Sequence, residues 1–402
     1  MNVTDRIQNE MEQLQAAPRA IAFRRSLHMY PELSEQEFQT MERIAAELDA
    51  LKIPYEKGIA QTGVVALIEG GHPGPVVGLR ADIDALSIQE ENRDASYCSR
   101  TPGVMHACGH DAHAAILLET AMLLQSMRQE LCGKVKLFFQ PAEETIGDAE
   151  RMIAAGCLEN PHVDYTLGLH VSPALPVGEV GIKYGQMYAA SDMLVLRIHG
   201  KSCHGAHPDE GVDAILIAAA ILNQVQTVAS RNFSPTDSVV CSFGSIHGGS
   251  AGNQITDYVE LKGIIRTLNQ EHRLYARERV KTICEQTAAL MGGRAELEVI
   301  PSYSPLINDD GITDLVKENA GQLLGPEHVI LETVPSLGVE DFAYFAMARP
   351  SCFFHLGSGA PAGKEPQPIH SSRFDLDERC IPIGMRLQTQ NVLTILNAPA
   401  RP

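Results

Sequence analysis

The segment GVMHACGHDAHAA, residues 103–115, places three histidines, a cysteine and an aspartate within eight consecutive positions. Imidazole and thiolate side chains are the usual protein ligands of zinc and related transition metals. An apolar stretch suited to a helix follows over 112–130. We therefore expect Cys108 and His110 to lie in the loop that leads into this helix, which is where open α/β sheets place their ligand sites.

The flanking sequence predicts the sheet that this loop belongs to. Short runs rich in β-branched residues are separated by helical stretches, and the runs cover residues 63–70, 76–82, 134–140 and 164–170. Such alternation is typical of an α/β domain with a mostly parallel sheet.

Side chains that can bind metal stand at the ends of these predicted strands. Their positions are Asp82 and Asp84, Glu143 and Glu144, and His170. A lone histidine or cysteine is usually packed or solvated, and paired carboxylates usually form a solvated turn. Because the carboxyl ends of parallel strands meet at one edge of a sheet, these side chains and the opening segment are nevertheless expected to converge on one site.

A structural zinc site is the competing interpretation of this convergence. Structural sites are closed and rich in cysteine, whereas here one cysteine stands among histidines and carboxylates. Mixed ligands with a spare carboxylate favour a catalytic metal site. His28, His106, His113 and His355 gain less from the argument, and we expect them to be structural or to orient ligands.

The pattern changes after about residue 190. Strands are predicted over 192–199, 238–246, 257–267 and 294–300, with helices over 211–229 and 270–292. The order βαββαβ is that of a small ferredoxin-like domain. We therefore expect a discontinuous catalytic domain, residues 1–187 and 302–402, with an inserted domain at 188–301.

Composition limits the function. Fifty acidic against 32 basic residues give a formal net charge of −18, which disfavours nucleic acid and anionic membranes as partners and favours a small-molecule substrate. The N-terminus is polar, and no later apolar run is expected to span a bilayer. Nine cysteines without framework spacing indicate reduced thiols. These features predict a cytoplasmic protein.

An ordered series of motifs resembles the M20 metallopeptidase family. The similarity is to the branch of amidohydrolases that cleave N-acyl amino acids, hippurate-type amides and indole-acetyl-amino acid conjugates. The motifs run almost end to end: RRSLHMYPELSEQEFQT, LRADIDAL, GVMHACGHDAH, FFQPAEE, GLHV, GKSCHGAHP, GNQITD, GIIRTL, GVEDFAYF and IHSSRFDLDE.

The resemblance implies two divalent metal ions per subunit, zinc or manganese, with cobalt and nickel as alternatives. The implied ligands are Cys108, His110, Glu144, His170 and His370, with the Cys108 thiolate in the place of a bridging aspartate. Glu143 is implied to be the general base that accepts a proton from a metal-activated water. Asp84 is implied to orient a metal-bound histidine.

The inserted domain resembles the lid and dimerisation domain of the family. His204 matches a histidine that stabilises the oxyanion in the partner subunit's site, which implies a homodimer, with a homotetramer as the alternative. Asn253 and Arg266 match residues that recognise the substrate carboxylate, for which a guanidinium group is well shaped. Without the resemblance, Arg266 would be read as a surface charge and His204 as a loop residue.

The sequence thus predicts a metal-dependent amidohydrolase that releases a free amino acid and a carboxylic acid from an N-acyl or N-aroyl amino acid. One alternative is a dipeptidase or aminoacylase on the same scaffold. Another is a catalytically silent metal-binding homologue. The presence of Glu143 argues against the silent protein, which has no use for a base.

Overall fold

A computed structural model describes residues 3–398. Its α-helices are α1 (Val3–Gln13), α2 (Ala16–Met29), α3 (Phe38–Leu51), α4 (His110–Ser126), α5 (Asp148–Ala154), α6 (Ala214–Arg231), α7 (Gln270–Leu290), α8 (Asp310–Leu324), α9 (Ala343–Ala348) and α10 (Cys380–Asn397). Its strands are β1 (Tyr55–Ile59), β2 (Gly63–Glu69), β3 (His72–Asp82), β4 (Cys132–Gln140), β5 (Tyr165–Ser172), β6 (Val180–Ile182), β7 (Gly185–Tyr188), β8 (Ala190–His199), β9 (Cys203–His204), β10 (Val239–Gly248), β11 (Gln254–Ile255), β12 (Tyr258–Thr267), β13 (Arg294–Pro301), β14 (Leu306–Asn308), β15 (Val329–Leu331) and β16 (Ser351–Gly357).

The described residues divide into two units. The first unit contains the chain up to Gly185, the segment Ile307–Thr333 and the chain from Tyr344 onward. The second unit contains Gln186–Leu306 together with Val334–Ala343. The latter segment lies outside the insertion expected from the sequence.

The first unit is built on an eight-stranded sheet in the order β1-β2-β4-β3-β5-β16-β6-β15. Strands β4, β3, β5 and β16 are consecutive parallel neighbours, and antiparallel pairs lie on either side of them. Strands β4, β5 and β16 and the second half of β3 are almost entirely buried, as is typical of parallel strands that are covered on both faces. This mostly parallel sheet confirms the predicted α/β class.

Helix α4 lies at the centre of the first unit. All its residues from His110 to Leu124 are buried, and it packs against α2, α3 and α10. A helix that is apolar on all sides is stable only when its neighbours cover it completely. The start of α4, which carries the histidine-rich segment, is therefore fixed inside the core.

The second unit contains a four-stranded antiparallel sheet in the order β10-β12-β8-β13. Helices α6 and α7 pack against it, so the elements follow in the predicted order of strand, helix, two strands, helix and strand. Asp213 caps α6 by accepting hydrogen bonds from the backbone of Ile215 and Leu216. Asn269 caps α7 in the same way, at 2.7 Å from the His272 nitrogen.

Helix α6 is long and apolar enough to cross a membrane, judged by length and composition alone. The expectation that no apolar run has this length is therefore wrong. A single helix of this kind is weak evidence for a membrane span, because core helices meet the same criterion. The buried residues of α6 recur every three or four positions and belong to the core of the second unit: Ala214, Ile217, Ala218, Ile221, Val225 and Val228.

Glu119 is an ionisable group within the apolar helix α4. Its side chain is 1% exposed, Oε1 lies 3.5 Å from Arg19 Nε, and Oε2 has no hydrogen-bond partner among the described residues. Burial raises the pKa of Glu119 to about 7, against the opposing charge of Arg19. In the unfolded chain the ordinary value is 4.5.

We expect this carboxyl group to make the fold less stable as the pH rises from 4.5 to about 7, because the unfolded chain loses the proton first. Glu119→Gln should match the wild type at pH 4 and be more stable by about 3 kcal/mol at pH 8, since each unit of pKa change is worth about 1.4 kcal/mol. Urea unfolding across this range measures the difference. Glu47→Gln is the control: it removes a partly exposed carboxylate beside Arg19 whose charge adds only a minor part to the raised pKa of Glu119, so it should weaken the pH dependence far less than Glu119→Gln does. Equal stability of Glu119→Gln and the wild type at pH 8 would contradict the burial argument.

Candidate metal centre

The candidate site lies at the carboxyl edge of the parallel strands. Asp82 and Gln140, the last residues of β3 and β4, are paired in register. Asp84 follows the first of these strands and Glu143 follows the second, while His170 lies near the end of β5. The parallel order of β4, β3 and β5 thus brings three separate chain segments to one edge, as the sequence predicts.

Gly109 shapes the segment between Cys108 and His110. Its φ is +90°, a left-handed conformation, and a β-carbon there would lie 2.4 Å from Val171 Cγ2. Only glycine fits, and α4 begins at the next residue. Cys108 therefore lies in the loop as predicted, whereas His110 is the first residue of the helix and not a loop residue.

The structure brings the five implied ligands together in the first unit. Cys108 Sγ lies 3.3 Å from His170 Nε2, and Glu144 Oε1 lies 3.8 Å from His110 Nε2. His370 Nε2 lies 3.3 Å from the same glutamate oxygen. Atoms that could ligate a metal lie within 4.8 Å of one another in several overlapping sets, namely Cys108 with His110 and His170, Cys108 with Glu144 and His370, and His110 with Glu143 and Glu144.

Hydrogen bonds select one nitrogen of each of the two buried histidines that are implied to be ligands. His110 Nδ1 lies 3.1 Å from Asp84 Oδ1, and His170 Nδ1 donates to the Val171 carbonyl at 2.7 Å. A proton on Nδ1 leaves Nε2 with a lone pair for a metal. His110 Nε2 is buried and has no hydrogen-bond partner among the described residues. A buried ring nitrogen without a hydrogen-bond partner, close to the Glu144 carboxylate and the Cys108 thiol, fits a metal ion.

His113 lies beside these ligands, but both its ring nitrogens are engaged. Its Nδ1 lies 2.6 Å from Asp82 Oδ1, and its Nε2 accepts a hydrogen bond from the Val171 backbone nitrogen at 2.9 Å. His113 therefore has no lone pair left for a metal. It connects Asp82 to the backbone of the residue after His170.

Asp111, the neighbour of His110, is held from the other side. Arg24 Nε and His28 Nδ1 each lie 2.7 Å from Asp111 Oδ2, and all three side chains are buried. Asp111 Oδ1 also accepts from the Ala112 nitrogen at 3.0 Å. These contacts fix the first turn of α4, and they give His28 a structural role.

Concentrated negative charge governs the protonation of the site. Burial alone would lower the pKa of His110, but the carboxylates of Asp82, Asp84 and Glu144 outweigh it and raise that pKa to about 10. Burial, reinforced by nearby carboxylates, raises the pKa of the Cys108 thiol well above its ordinary value. His110 and Cys108 therefore keep their protons while no cation balances the negative charge. A bound metal ion would displace these protons.

Glu143 is 8% exposed, and its carboxylate lies within 4.8 Å of ligand-type atoms of His110 and Glu144. It belongs to the turn that follows β4. The backbone nitrogen of Glu144 donates to Asp84 Oδ2 at 3.0 Å, so this turn is tied to the carboxylate whose other oxygen contacts His110 Nδ1. The adjacent glutamates are thus held in different environments.

The three predicted residues of the second unit are only partly brought together. His204 and Gln254 pair across β9 and β11, and the Asn253 carbonyl accepts from the Gly205 nitrogen at 2.8 Å, so His204 and Asn253 are neighbours. Arg266 lies on β12, between β8 and β10. Its Nη1 is buried without a hydrogen-bond partner among the described residues, and burial lowers its pKa.

Two residues near the site carry no local signal in the sequence. Ser34 Oγ donates to Asp84 Oδ2 at 2.7 Å, and Glu37 Oε1 accepts from the Ala142 nitrogen at 2.9 Å. Both belong to the motif RRSLHMYPELSEQEFQT, which carries part of the resemblance. The motif does not say which atoms these side chains reach, so their roles were missed.

The fold and the site together define a class of protein. Cysteine, histidine and glutamate ligands gathered beside a further glutamate, at the carboxyl edge of a parallel sheet, are typical of a metal-dependent hydrolase. Residues 78–393 match the peptidase family M20/M25/M40, and the chain belongs to this family. The resemblance seen in the sequence is thereby confirmed.

The similarity to known proteins covers most of the chain. N-acetyl-L-cysteine deacetylase of Bacillus subtilis (strain 168) is 39% identical over 361 residues, which cover 90% of this chain and 84% of the relative. IAA-amino acid hydrolase ILR1-like 4 of Arabidopsis thaliana is 36% identical, with 91% and 83% covered. The crystal structure of Bacillus subtilis YXEP, described as a dinuclear metal-binding peptidase of the M20 family, has a TM-score of 0.83 at 33% identity. It covers 95% of this chain and 99% of its own.

We expect Asp84→Asn to weaken metal binding by about 10–100-fold, because an amide facing His110 no longer selects the tautomer that leaves Nε2 unprotonated. Competition between the metal-free protein and a chromogenic zinc chelator measures this affinity. Ser34→Ala removes only the hydroxyl donor on the other oxygen of Asp84 and should change the affinity much less. Wild-type affinity in Asp84→Asn would contradict the orienting role.

Proposed function

We propose that this protein is a dinuclear metal-dependent amidohydrolase that releases a free amino acid and a carboxylic acid from N-acyl or N-aroyl amino acids. The observation that carries the proposal is that two sets of ligand-type atoms share Cys108. One set adds His110 and His170, and the other adds Glu144 and His370. A ligand common to both sets supports two neighbouring cations, and the nearby Glu143 supports hydrolysis over a purely structural role.

We propose zinc or manganese as the metal, with cobalt or nickel as alternatives. The thiolate of Cys108 is a soft ligand that suits zinc, whereas Glu144 and the imidazoles also suit the other three. The raised pKa of the Cys108 thiol means that metal binding must release a proton, so binding should weaken as the pH falls.

The mechanism assigns separate tasks to the residues of the first unit. Two divalent cations held by Cys108, His110, Glu144, His170 and His370 would supply Lewis acidity for the amide carbonyl and for a water molecule. Glu143 accepts a proton from this water and delivers it to the nitrogen of the leaving amine. Asp84 keeps His110 in the tautomer whose Nε2 faces Glu144, and the hydrogen bond from His170 Nδ1 to the Val171 carbonyl does the same for His170.

We further propose that residues 188–301 form a ferredoxin-like lid and dimerisation domain inserted between catalytic segments 1–187 and 302–402. The strand order of the second unit supports this topology. Strand β10 is an edge strand with Ile246 half exposed, and Ile215 and Leu216 of α6 are 49% and 58% exposed. An open edge strand and exposed apolar side chains are features of an association surface.

In this arrangement His204 donates a hydrogen bond to the oxyanion in the partner subunit's site, and Asn253 and Arg266 bind the substrate carboxylate. The exposure of His204 and the unpartnered Nη1 of Arg266 support these roles. The names of the relatives point to N-acetyl and indole-acetyl amino acids as substrate classes. The small-molecule substrate is therefore an amino acid with a blocked nitrogen.

A hydrolysis panel on metal-reconstituted enzyme tests the proposal. It contains N-acetyl, N-benzoyl, indole-acetyl and p-aminobenzoyl amino acids together with dipeptides that have a free amine. Preference for the blocked substrates supports the proposed function, and preference for the dipeptides would replace it with a dipeptidase. Metal content without turnover on any amide would indicate a silent homologue.

Glu143→Gln should retain both metal ions and lose turnover by about 10²–10⁴-fold, because the amide cannot accept the proton. Glu144→Gln is the matched control and should lose metal content together with activity, since this side chain faces His110 and His370. Elemental analysis and steady-state kinetics distinguish the two variants. Near-normal turnover in Glu143→Gln would exclude Glu143 as the base.

Mixed dimers test the role of His204. Homodimers of His204→Ala should lose about 10²–10³-fold in turnover through loss of an oxyanion donor, and homodimers of Glu143→Ala should also be nearly inactive. In a mixed dimer, the site on the His204→Ala chain keeps its own Glu143 and receives an intact His204 from its partner. Random exchange of equal amounts makes about half of the dimers mixed, each with one working site, so about a quarter of the wild-type activity should return.

If His204 acts within its own chain, every site in the mixture lacks one essential group. Activity would then stay at the level of the parent variants, even though native mass spectrometry shows that subunits have exchanged. That result would contradict the proposed action of His204 across the dimer.

A further inference from the structure

Two carboxylates from distant segments hold the backbone on either side of Glu143. Glu37 Oε1 accepts a hydrogen bond from the Ala142 nitrogen at 2.9 Å. Asp84 Oδ2 accepts one from the Glu144 nitrogen at 3.0 Å. The residue between these two anchored N–H groups is the one we propose as general base.

Glu37 is completely buried at the start of α3. Its second oxygen, Oε2, accepts a hydrogen bond from Thr62 Oγ1 at 2.7 Å. Burial raises the pKa of Glu37 to about 7, although the hydrogen bonds from Thr62 and Ala142 act in the opposite direction. An ionisable group in such an environment destabilises the fold, so its position calls for a functional explanation.

Ala142 is the residue that Glu37 constrains. It is buried, and its φ of +50° is a left-handed conformation that costs a residue with a β-carbon roughly 1 kcal/mol or more. Its carbonyl accepts a hydrogen bond from the Gly147 nitrogen at 3.0 Å. The N–H and the carbonyl of this strained residue are thus both hydrogen-bonded, and the bond of the N–H group depends on Glu37.

We propose that Glu37 is a positioning residue, which acts through the backbone of Ala142 to hold the Glu143 carboxylate where it exchanges protons with water and the leaving amine. The proposal rests on the role of Glu143 given above. Removing Glu37 takes away the acceptor of the buried Ala142 N–H group. The turn can then lower its free energy by leaving the strained conformation, and Glu143 moves with it. Proton transfer requires hydrogen-bond distance, and a displacement of about 1 Å lowers turnover by about a hundredfold.

Three variants separate this role from simple support of the fold. Glu37→Ala should lower kcat by about 10–100-fold, while KM stays within about threefold and both metals remain bound. Glu37→Gln should recover most of the lost turnover, because its amide oxygen accepts from Ala142 and its NH₂ group donates to Thr62. Thr62→Val leaves the bond to Ala142 intact and should retain near-normal kcat. Wild-type kcat in Glu37→Ala, or no recovery in Glu37→Gln, would overturn the proposal.

A double-mutant cycle with Glu143→Gln gives the decisive comparison. If Glu37 acts through Glu143, Glu37→Ala should cost less than about twofold in kcat when Glu143 is already Gln. An equal loss in both backgrounds would mean a general structural role and would overturn the proposal. Should Glu37→Ala not fold, Glu37→Asp, which keeps the carboxylate on a shorter side chain, replaces it in the same cycle with the same criteria.

The cycle also separates this inference from the proposed function. The single variant Glu143→Gln tests the general base alone, and normal turnover there would refute that role and the positioning of Glu143 with it. If Glu143→Gln lowers kcat and Glu37→Ala lowers it by the same factor in both backgrounds, only the role of Glu37 is refuted. Any activity comparison uses the substrate that the metal-loaded wild type hydrolyses fastest in the panel.

Discussion

Negative charge concentrated at one buried edge of the sheet is the constraint on which this structure depends. Carboxylates repel one another strongly where water is excluded, and each needs a compensating partner. Asp82 has Arg80 and His113, and Asp84 has His110, Ser34 and a backbone N–H group. The remaining negative charge lies on the carboxylates near Cys108 and His110, where two bound cations would supply the missing positive charge and the means of hydrolysis.

The central elements of the fold could be predicted because their signals are local. Strands β3, β4 and β5 each contain a short stretch rich in β-branched and other apolar residues, and the helices of the second unit begin at capping residues. The short strands β6 and β15 have three residues each, too few to show any periodicity. Segment 334–343 groups with the second unit through contacts that leave no local pattern in the sequence.

The residues of the site likewise differ in whether local sequence is enough to assign them. Asp84, Glu143 and His170 could be assigned to one edge of the sheet because each stands at the end of a strand that the sequence itself predicts. His370 could be assigned only through the family resemblance, because it lies in a loop, at a φ of +65°, with no strand or helix directly before it. Glu37 could not be assigned at all, since its role depends on a backbone nitrogen 105 residues away along the chain.

The position of β16 has a consequence for the order in which the protein is made. This strand lies between β5 and β6 in the middle of the sheet, although the whole second unit separates it from them in the chain. While the ribosome is still making that unit, β5 has an open edge with unpaired N–H and C=O groups. His370 follows β16, so the last of the proposed metal ligands emerges only after this open edge can be paired. The nascent chain is therefore most prone to mispairing while the second unit is being translated.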